Sequence, residues 1–219
     1  MNILQVSSGE HTAKDGLAIL SGNADVDCWG NVTVIAFDDA VCSMTGEGDV
    51  TAGGNTKVRV CEDCSADVKD SCSLEAAGKA IFVARGRASV NAHGYTEGSV
   101  LEQASLKASG DARVTMISDG SLQVLENATV VYAWPRTKIC ATVTVAMMQA
   151  LKDEMETVIR DVAPLYDMNF ICALGQMQHE LDQGLISKVV TKLLVLRDRI
   201  STCAPLVQVF ERHGLWPKP

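Results

Sequence analysis

The sequence predicts a protein that is mainly β with α: a parallel β-solenoid followed by a C-terminal helical domain of about four helices. Two observations carry this prediction. Apolar and small residues occupy every second position from about residue 24 to beyond residue 130, which is the period of strands with one buried face. From about Thr142 the apolar residues recur instead at three- and four-residue steps, which is the period of helices.

The alternation is organised in units of eight residues. Fourteen consecutive units, counted from Ala24, repeat a small residue and, two positions later, a mainly aliphatic residue, in the column that begins at Val26. The column that begins at Gly30 contains mostly glycine or an acid, and turn-forming residues surround it. A repeat of this regularity predicts a solenoid, because each unit buries its apolar face only by stacking on its neighbours.

A coil of this solenoid contains a whole number of units. Two units give a two-sided coil of about 16 residues, and three units give a triangular coil of about 24 residues. The inward columns consist mainly of Ala, Val, Gly and Cys, and close-packed interiors leave no large unfilled space. Small side chains favour two sheets held close together, so we expect the two-sided coil.

The units also resemble a known kind of solenoid. The segments "GNVTVIA" (Gly30–Ala36) and "ENATVVYA" (Glu126–Ala133) are similar to the "GNATVxA" octapeptide repeats of parallel β-solenoids in small bacterial and phage proteins. The resemblance covers about half of the chain. It implies a fold and carries little information on function.

Both ends of a solenoid expose strand edges that recruit further strands, so we expect each end to be covered. Residues 1–21, which include the apolar run Leu17–Leu20, are predicted to be an N-terminal cap. At the other end Pro135 cannot donate a ladder hydrogen bond, which predicts that the solenoid ends there. The predicted domains are therefore the cap, a solenoid over residues 22–136 and a helical domain over residues 137–219.

The helical domain is predicted to contain four helices. The first runs from about Thr142 to near Pro164, and the second covers Asp167–Gln183. The third is the segment "LISKVVTKLLVLRDRI" (Leu185–Ile200), and a short fourth begins near Pro205. Four helices in about 75 residues form a small core. We therefore expect them to pack on each other and on the last coil, and also to join two copies of the chain into a homodimer.

Sixteen-residue coils would align several outward apolar residues on one outer edge. Outward apolar residues that form a row usually mark a contact. We therefore expect the helical domain to dock there. The predicted docking edge consists of Leu101, Ile117, Val131 and Ala133.

The charge is concentrated on the solenoid. Residues 22–134 carry 16 acidic and 8 basic side chains, a net charge of −8 that equals the net charge of the whole chain. This excess argues against binding of a nucleic-acid backbone, which needs clustered Lys and Arg. Outward acids are instead candidates for a surface that binds a protein partner. These are Asp25, Asp27, Asp39, Glu47, Asp49, Asp63, Asp67 and Glu75.

The chain offers weak signals for catalysis or metal binding. Cys61 and Cys64 have the spacing of half a zinc site, but their phase places one outward and one inward, and no second pair has a suitable spacing. His93 is expected to be a surface residue. Acids replace glycine in the corner column at Asp38, Glu62, Asp70, Glu102 and Glu126. A calcium ladder is one interpretation of these acids, and capping of corner N–H groups is the one we favour. We predict no catalytic residue, metal or cofactor.

These observations favour a non-enzymatic protein that binds a protein partner through a rigid, acidic solenoid. A negative rod would also suit a phage or mobile-element anti-defence protein that mimics a nucleic acid and inhibits CRISPR-type or related systems. A structural or virion component is a third possibility. The sequence has no apparent signal peptide and no apolar run of about 18 residues, so we expect a cytoplasmic location, in the host cytoplasm if the chain is phage-encoded.

Overall fold

The computed structural model describes residues 2–134, 137 and 139–217 of the chain. It confirms the predicted fold class: a parallel β-solenoid with about 16 residues per turn, followed by a region of helices. The chain begins with β1 (Ile3–Ala13) and β2 (Gly16–Gly30), and β2 bends so that its two halves lie on opposite faces. We call these the front face and the back face of the solenoid.

After β2 the strands alternate between the two faces. The front face contains β3 (Val32–Ala36), β5 (Asp49–Ala52), β7 (Ser65–Val68), β9 (Ile81–Ala84), β11 (Glu97–Glu102), β13 (Arg113–Ser118) and β15 (Thr129–Trp134). The back face contains β4 (Val41–Gly46), β6 (Lys57–Glu62), β8 (Ser73–Ala76), β10 (Ser89–Ala92), β12 (Ser105–Ala108) and β14 (Leu122–Val124).

The coils stack with a constant register from β2 to β15. Each residue pairs with the residue sixteen positions later, as Val34 does with Val50 on the front face and Val58 with Leu74 on the back face. Because sixteen is even, the same column points inward in every coil, and these side chains form one continuous buried core. The preference for small inward residues follows from this geometry, since the two faces lie too close together for large side chains at every position.

The corners between the faces explain the fourth column of the repeat. Glycine there adopts positive φ, as Gly54 and Gly86 do, and the acids that replace glycine adopt the same left-handed conformation. Positive φ costs an ordinary L-residue roughly 1–2 kcal/mol, and glycine avoids this cost. The repeat therefore reflects a backbone requirement at these corners, to which Ser118 is an exception in the same column.

The N-terminal residues do not form the predicted cap. Residues 3–13 are the strand β1, which pairs in parallel with β2 and forms a first coil of the solenoid, and β2 runs straight through the boundary predicted at residue 22. The first coil is irregular. Its offset from β2 is 14 residues at Ile3 and 15 at Ser8, with a shift in register between them. An edge of β1 has no partner strand among the described residues.

The C-terminal end of the solenoid also differs from the prediction. The segment Ile139–Val143, which lies within the predicted helical domain, forms a strand, β16, that pairs antiparallel with β15. Its alternation of buried and exposed residues continues the pleat of the front face. Pro135 and Arg136, at the predicted boundary, lie outside the described residues.

Among the described residues, the helical region contains four α-helices of nine or more residues, one short α-helix and a 3-10 turn at Ala163–Leu165. The α-helices are α1 (Val145–Val162), α2 (Met168–Asp182), α3 (Ile186–Val195), α4 (Arg197–Ser201) and α5 (Ala204–Arg212). The Thr144 side chain accepts a hydrogen bond from the backbone N–H of Met147 and begins α1, and Asp167 caps α2 in the same way through Phe170. The third predicted helix is divided at Leu196 into α3 and α4. Across the described ranges, every helix is too short or too polar to cross a lipid bilayer.

The helices close the C-terminal end of the back face. The edge strand β14 has backbone groups that would pair with a further coil, and the connection between α2 and α3 and the first turn of α3 supply their partners instead. The N–H of Leu122 donates to Ser187 Oγ (3.1 Å), and the N–H of Val124 donates to the carbonyl oxygen of Gly184 (3.1 Å). This contact ends the back face, because it occupies the β14 edge where another strand would pair, whereas β16 is the last strand of the front face among the described residues.

Candidate protein-binding surface

An apolar row lies on the outer front face near the C-terminal end of the solenoid. The sixteen-residue register stacks Leu101, Ile117 and Ala133 on the adjacent strands β11, β13 and β15. Val131 points outward two positions before Ala133. We call these four residues the front-face row. Ile117 is 45% exposed and Val131 is 42% exposed, whereas Leu101 and Ala133 are half-buried.

The row continues onto β16, a strand that the sequence pattern does not predict. Cys140 pairs with Ala133 and Thr142 pairs with Val131 across the antiparallel ladder, and both side chains are exposed. The row therefore crosses four neighbouring strands, a length of about 14 Å at ~4.8 Å between strands. The alternation in Ile139–Val143 is the sequence signal that could have revealed this extension, but the helical period that begins a few residues later obscured it.

These four residues are the predicted docking edge, and the structure contradicts their predicted use. The helical region contacts β14 and β16 instead and leaves Ile117 and Val131 exposed. The physical reason is the β14 edge, where unpaired backbone groups are costly to bury and need hydrogen-bond partners. Ser187 and Gly184 pair with backbone groups of this edge, and the carbonyl oxygen of Gln183 accepts a hydrogen bond from the side-chain amide of Gln123. Within the described strands, the apolar row has no free backbone groups that would bind the helices in this way.

Polar side chains border the row. Three polar residues point outward from the same strands, namely Arg113, Thr115 and Thr129. In the coils nearer the N-terminus, the column that contains Leu101 and Ile117 holds basic residues instead, Lys69 and Arg85. An apolar centre with a polar border is the usual composition of a protein-binding surface. The row is also rigid, because the inward residues of the same strands are fully buried.

The eight predicted partner-binding acids do not form one surface. Seven are exposed and Glu75 is half-buried, but they are distributed around the whole circumference of the solenoid. Asp25, Asp27 and Glu75 lie on the back face, and Asp49 and Asp67 lie on the front face. Asp39 lies at one corner, and Glu47 and Asp63 lie at the other.

Four of these acids contact side chains of the adjacent coil. Glu75 accepts hydrogen bonds from Arg59 and forms an ion pair with it (2.8 Å), and Asp67 pairs with Arg85 (3.1 Å). Asp49 accepts a hydrogen bond from Ser65 Oγ, and Asp39 accepts one from the side-chain amide of Asn55 (3.2 Å). Exposed pairs of this kind contribute little to stability, but they reduce the negative potential where they occur.

Four of the five corner acids act as the capping interpretation predicts, and no such hydrogen bond is seen for Glu62 in the described part of the chain. Asp38, Asp70, Glu102 and Glu126 each accept a hydrogen bond from the backbone N–H of the glycine sixteen residues earlier, over distances of 3.2, 3.1, 2.8 and 2.6 Å. At one corner acids and glycines alternate from coil to coil, so neighbouring carboxylates stand two coils, or about 10 Å, apart. This separation is too large for two of them to bind one calcium ion.

We expect substitutions at Asp70 to separate backbone strain from hydrogen bonding. Asp70→Ala keeps the positive φ and loses the hydrogen bond from Gly54, so it should lower the free energy of unfolding by ~1–2 kcal/mol. Asp70→Asn keeps an oxygen acceptor and should remain within about 0.5 kcal/mol of the wild type. Denaturant unfolding of both variants checks this expectation, and equal losses in both would show that the carboxylate charge matters.

The cysteines and His93 are arranged for packing and surface contacts. Cys64 is fully buried and Cys61 is half-buried, as their phase predicts. Burial raises the pKa of the Cys64 and Cys72 thiols, which disfavours the reactive thiolate. His93 lies 3.6 Å from the Glu75 carboxylate on the back face. Within the described part of the chain, no three His, Cys, Asp or Glu side chains converge as metal ligands would.

Comparison with known proteins gives no relative. The chain matches no protein-family model, no curated protein and no solved structure.

Proposed function

We propose that the protein is a non-enzymatic binding protein whose rigid solenoid presents the front-face row to an apolar surface of a protein partner. The observation that carries this proposal is the exposure of Ile117 and Val131 in an aligned row that the helices of the same chain leave uncovered. Contiguous outward apolar residues with a polar border are characteristic of contact surfaces, whereas single exposed apolar residues are ordinary.

The support beneath the row favours this role. Each residue of the row belongs to a strand that is paired on both sides, and the inward neighbours Val100, Met116 and Tyr132 are almost completely buried. Burial also raises the pKa of Tyr132, whose hydroxyl donates to the corner carbonyl oxygens of Ser118 and Gly120. A surface held this firmly loses little conformational entropy when it binds a partner.

An electrostatic contact is the competing interpretation, since a nucleic-acid mimic would use the negative charge of the solenoid. The distribution of the acids favours the apolar row instead. The acids are spread over both faces and both corners, and Arg59 and Arg85 neutralise two of them locally. The two interpretations predict opposite responses to salt, because contacts between exposed charges weaken as ionic strength rises and apolar contacts do not.

The substitution Ile117→Asp tests the proposal. Ile117 points outward, so its replacement should change stability by no more than about 0.5 kcal/mol, but a charge in the row should weaken partner binding at least ~10-fold. Proteins captured from a lysate of the source organism would be identified by mass spectrometry and purified, and their affinity for the wild type and for I117D would be measured by calorimetry.

Asn91→Asp is the matched control, because it adds the same charge at an exposed outward position on the back face. A partner whose affinity falls with I117D, is unchanged with N91D and persists at high salt supports the proposal. A nuclease or effector complex that binds both variants equally and dissociates at high salt would instead support mimicry of a nucleic acid. The appearance of filaments without any partner would indicate a structural role.

A further inference from the structure

The two ends of the solenoid differ in how well they are closed. At the C-terminal end the inward residues Leu122 and Val124 are completely buried by the helices. At the N-terminal end the inward residues of β1, which include Leu4, Val6 and Ala13, are only partly buried, although Ala18 and Leu20 one coil farther in are fully buried. The first coil therefore exposes the cross-section of the core.

The backbone of β1 is also open at this end. The carbonyl oxygen of Asn2 accepts a hydrogen bond from the N–H of Leu17 (2.9 Å), so alternate residues of β1 direct their backbone groups towards β2. By this alternation the N–H and C=O groups of Ile3 and Gln5 point to the other side, where no strand pairs with β1 among the described residues.

The first part of this edge lacks the charges and proline that keep edge strands from pairing, whereas the later part of β1 carries Glu10. Natural edges are usually protected by charged residues, proline or a covering segment. Residues 3–9, "ILQVSSG", contain no charge and no proline, and the outward side chain of Ile3 is 66% exposed. The registers of β1 with β2 show that residues 3–6 and 8–13 each follow the pleat of the solenoid, with one shift in register between them, so each part of the free edge can accept a further strand.

We propose that the free edge of β1 pairs with the same edge of a second copy, which joins two solenoids head to head. A partner of this end must present strand edges to the front face and the back face at once, with the same distance between them. The first coil of another copy has that cross-section. The C-terminal end of another copy does not match both edges, since Ser187 and Gly184 occupy its back-face edge and its last front-face strand, β16, runs antiparallel to the coils. This inference is independent of the proposed partner surface.

The geometry of the pairing follows from symmetry. A two-fold axis perpendicular to the solenoid axis reverses the direction of every strand, so the two β1 strands run antiparallel and each copy uses the same surface. Because Ser187 and Gly184 occupy the back-face edge at the other end of each copy, that end cannot pair with a further coil on both faces, and association stops at two chains. We therefore expect a closed dimer rather than a filament, and the partly buried Leu4, Val6 and Ala13 should become buried at its centre.

Gln5→Pro tests the proposal. Gln5 is exposed and its N–H points to the free edge, so proline there removes one donor from the dimer ladder and none from the ladder with β2. The wild type should sediment as a dimer, and Q5P should raise the dimer dissociation constant at least ~10-fold, while Gln5→Ala should leave it nearly unchanged. Analytical ultracentrifugation over two orders of magnitude in protein concentration measures this constant.

Ile3→Lys provides a second test if Q5P does not fold. It places a charge on the same edge and should also weaken the dimer, whereas Ile81→Lys changes the corresponding position of the same outward column, five coils away, and should not. A wild type that is monomeric at every concentration would refute the proposal. So would a dimer that survives Q5P and I3K but dissociates with Met168→Glu, since Met168 is among the exposed apolar residues of the helical region through which a dimer was also predicted.

Discussion

Replacing Phe82 with alanine is expected to lower the free energy of unfolding by ~3–5 kcal/mol, because it would leave a cavity in a narrow core. Phe82 is the largest inward side chain of the front-face coils before Tyr132, and it is 1% exposed. The register places Ala66 and Gly98 on either side of it, in the coil before and the coil after. The core therefore accommodates one large ring because the stacked residues on both sides of it have small side chains.

Enlarging the side chain at Gly98 should also be destabilising, as long as the Phe82 ring is present. A Cβ atom at Gly98 would lie 2.7 Å from atoms of the Phe82 ring, so Gly98→Val should be strongly destabilising in the wild type. In a Phe82→Val background the ring is absent and two valines would stack, as Val34 and Val50 do. The double variant should therefore be more stable than the G98V single variant.

A double-mutant cycle measured by guanidinium denaturation checks both statements. We expect a coupling free energy of ~1–3 kcal/mol between Phe82 and Gly98. Val34→Ala combined with Gly98→Val is the control cycle, because several coils separate these residues and their effects should add. A coupling near zero for Phe82 and Gly98 would contradict the packing relationship.

Gly184→Ala is expected to detach the helical region from the last coil. Gly184 adopts φ +71°, and a Cβ atom added there would lie 2.4 Å from the carbonyl oxygen of Val124. The carbonyl oxygen of Gly184 accepts the hydrogen bond from the N–H of that same Val124. Positive φ for alanine and this overlap together should cost at least ~2 kcal/mol. The contact that closes β14 should open, and the exposed strand edge should cause aggregation.

Limited proteolysis and light scattering measure these two effects. We expect faster cleavage near residues 183–187 and a rise in scattering with time at low denaturant. Gly175→Ala is the matched control. Gly175 lies inside α2 with no atom within 4 Å of an added Cβ, so alanine there should raise helix stability by roughly 0.5–1 kcal/mol. A G184A variant that behaves like G175A would show that the helices do not close the solenoid.

The regular part of the fold could be predicted because the sequence repeats one physical requirement many times. Inward positions recur with an even period and corner positions need positive φ, so the columns that begin at Ala24 and Gly30 define the faces and the turns. The helix boundaries near Thr144 and Asp167 were similarly accessible, since a capping side chain stands at each. The small inward residues correctly favoured sixteen residues per coil.

The irregular ends could not be predicted in the same way. The offset between β1 and β2 is 14 and 15 residues, so steps of eight lose the register before Ala24, and the first coil looks like a separate cap. Ser187 binds the β14 edge at Leu122, which lies 65 residues away in the chain, and no local sequence pattern indicates this contact. The residues of the front-face row could be predicted from the sixteen-residue register, but their exposure depends on where the helices pack.

The constant sixteen-residue register makes the solenoid a spacer whose length changes in fixed steps. Removing one whole coil, such as residues 65–80, would join matching corners and shorten the distance between the first coil and the helices by about 4.8 Å, with every remaining side chain on its original face. Removing eight residues would instead exchange front and back for everything that follows. Variation in such a chain should therefore occur in multiples of sixteen, and each multiple would move the helical region and the front-face row together relative to the first coil.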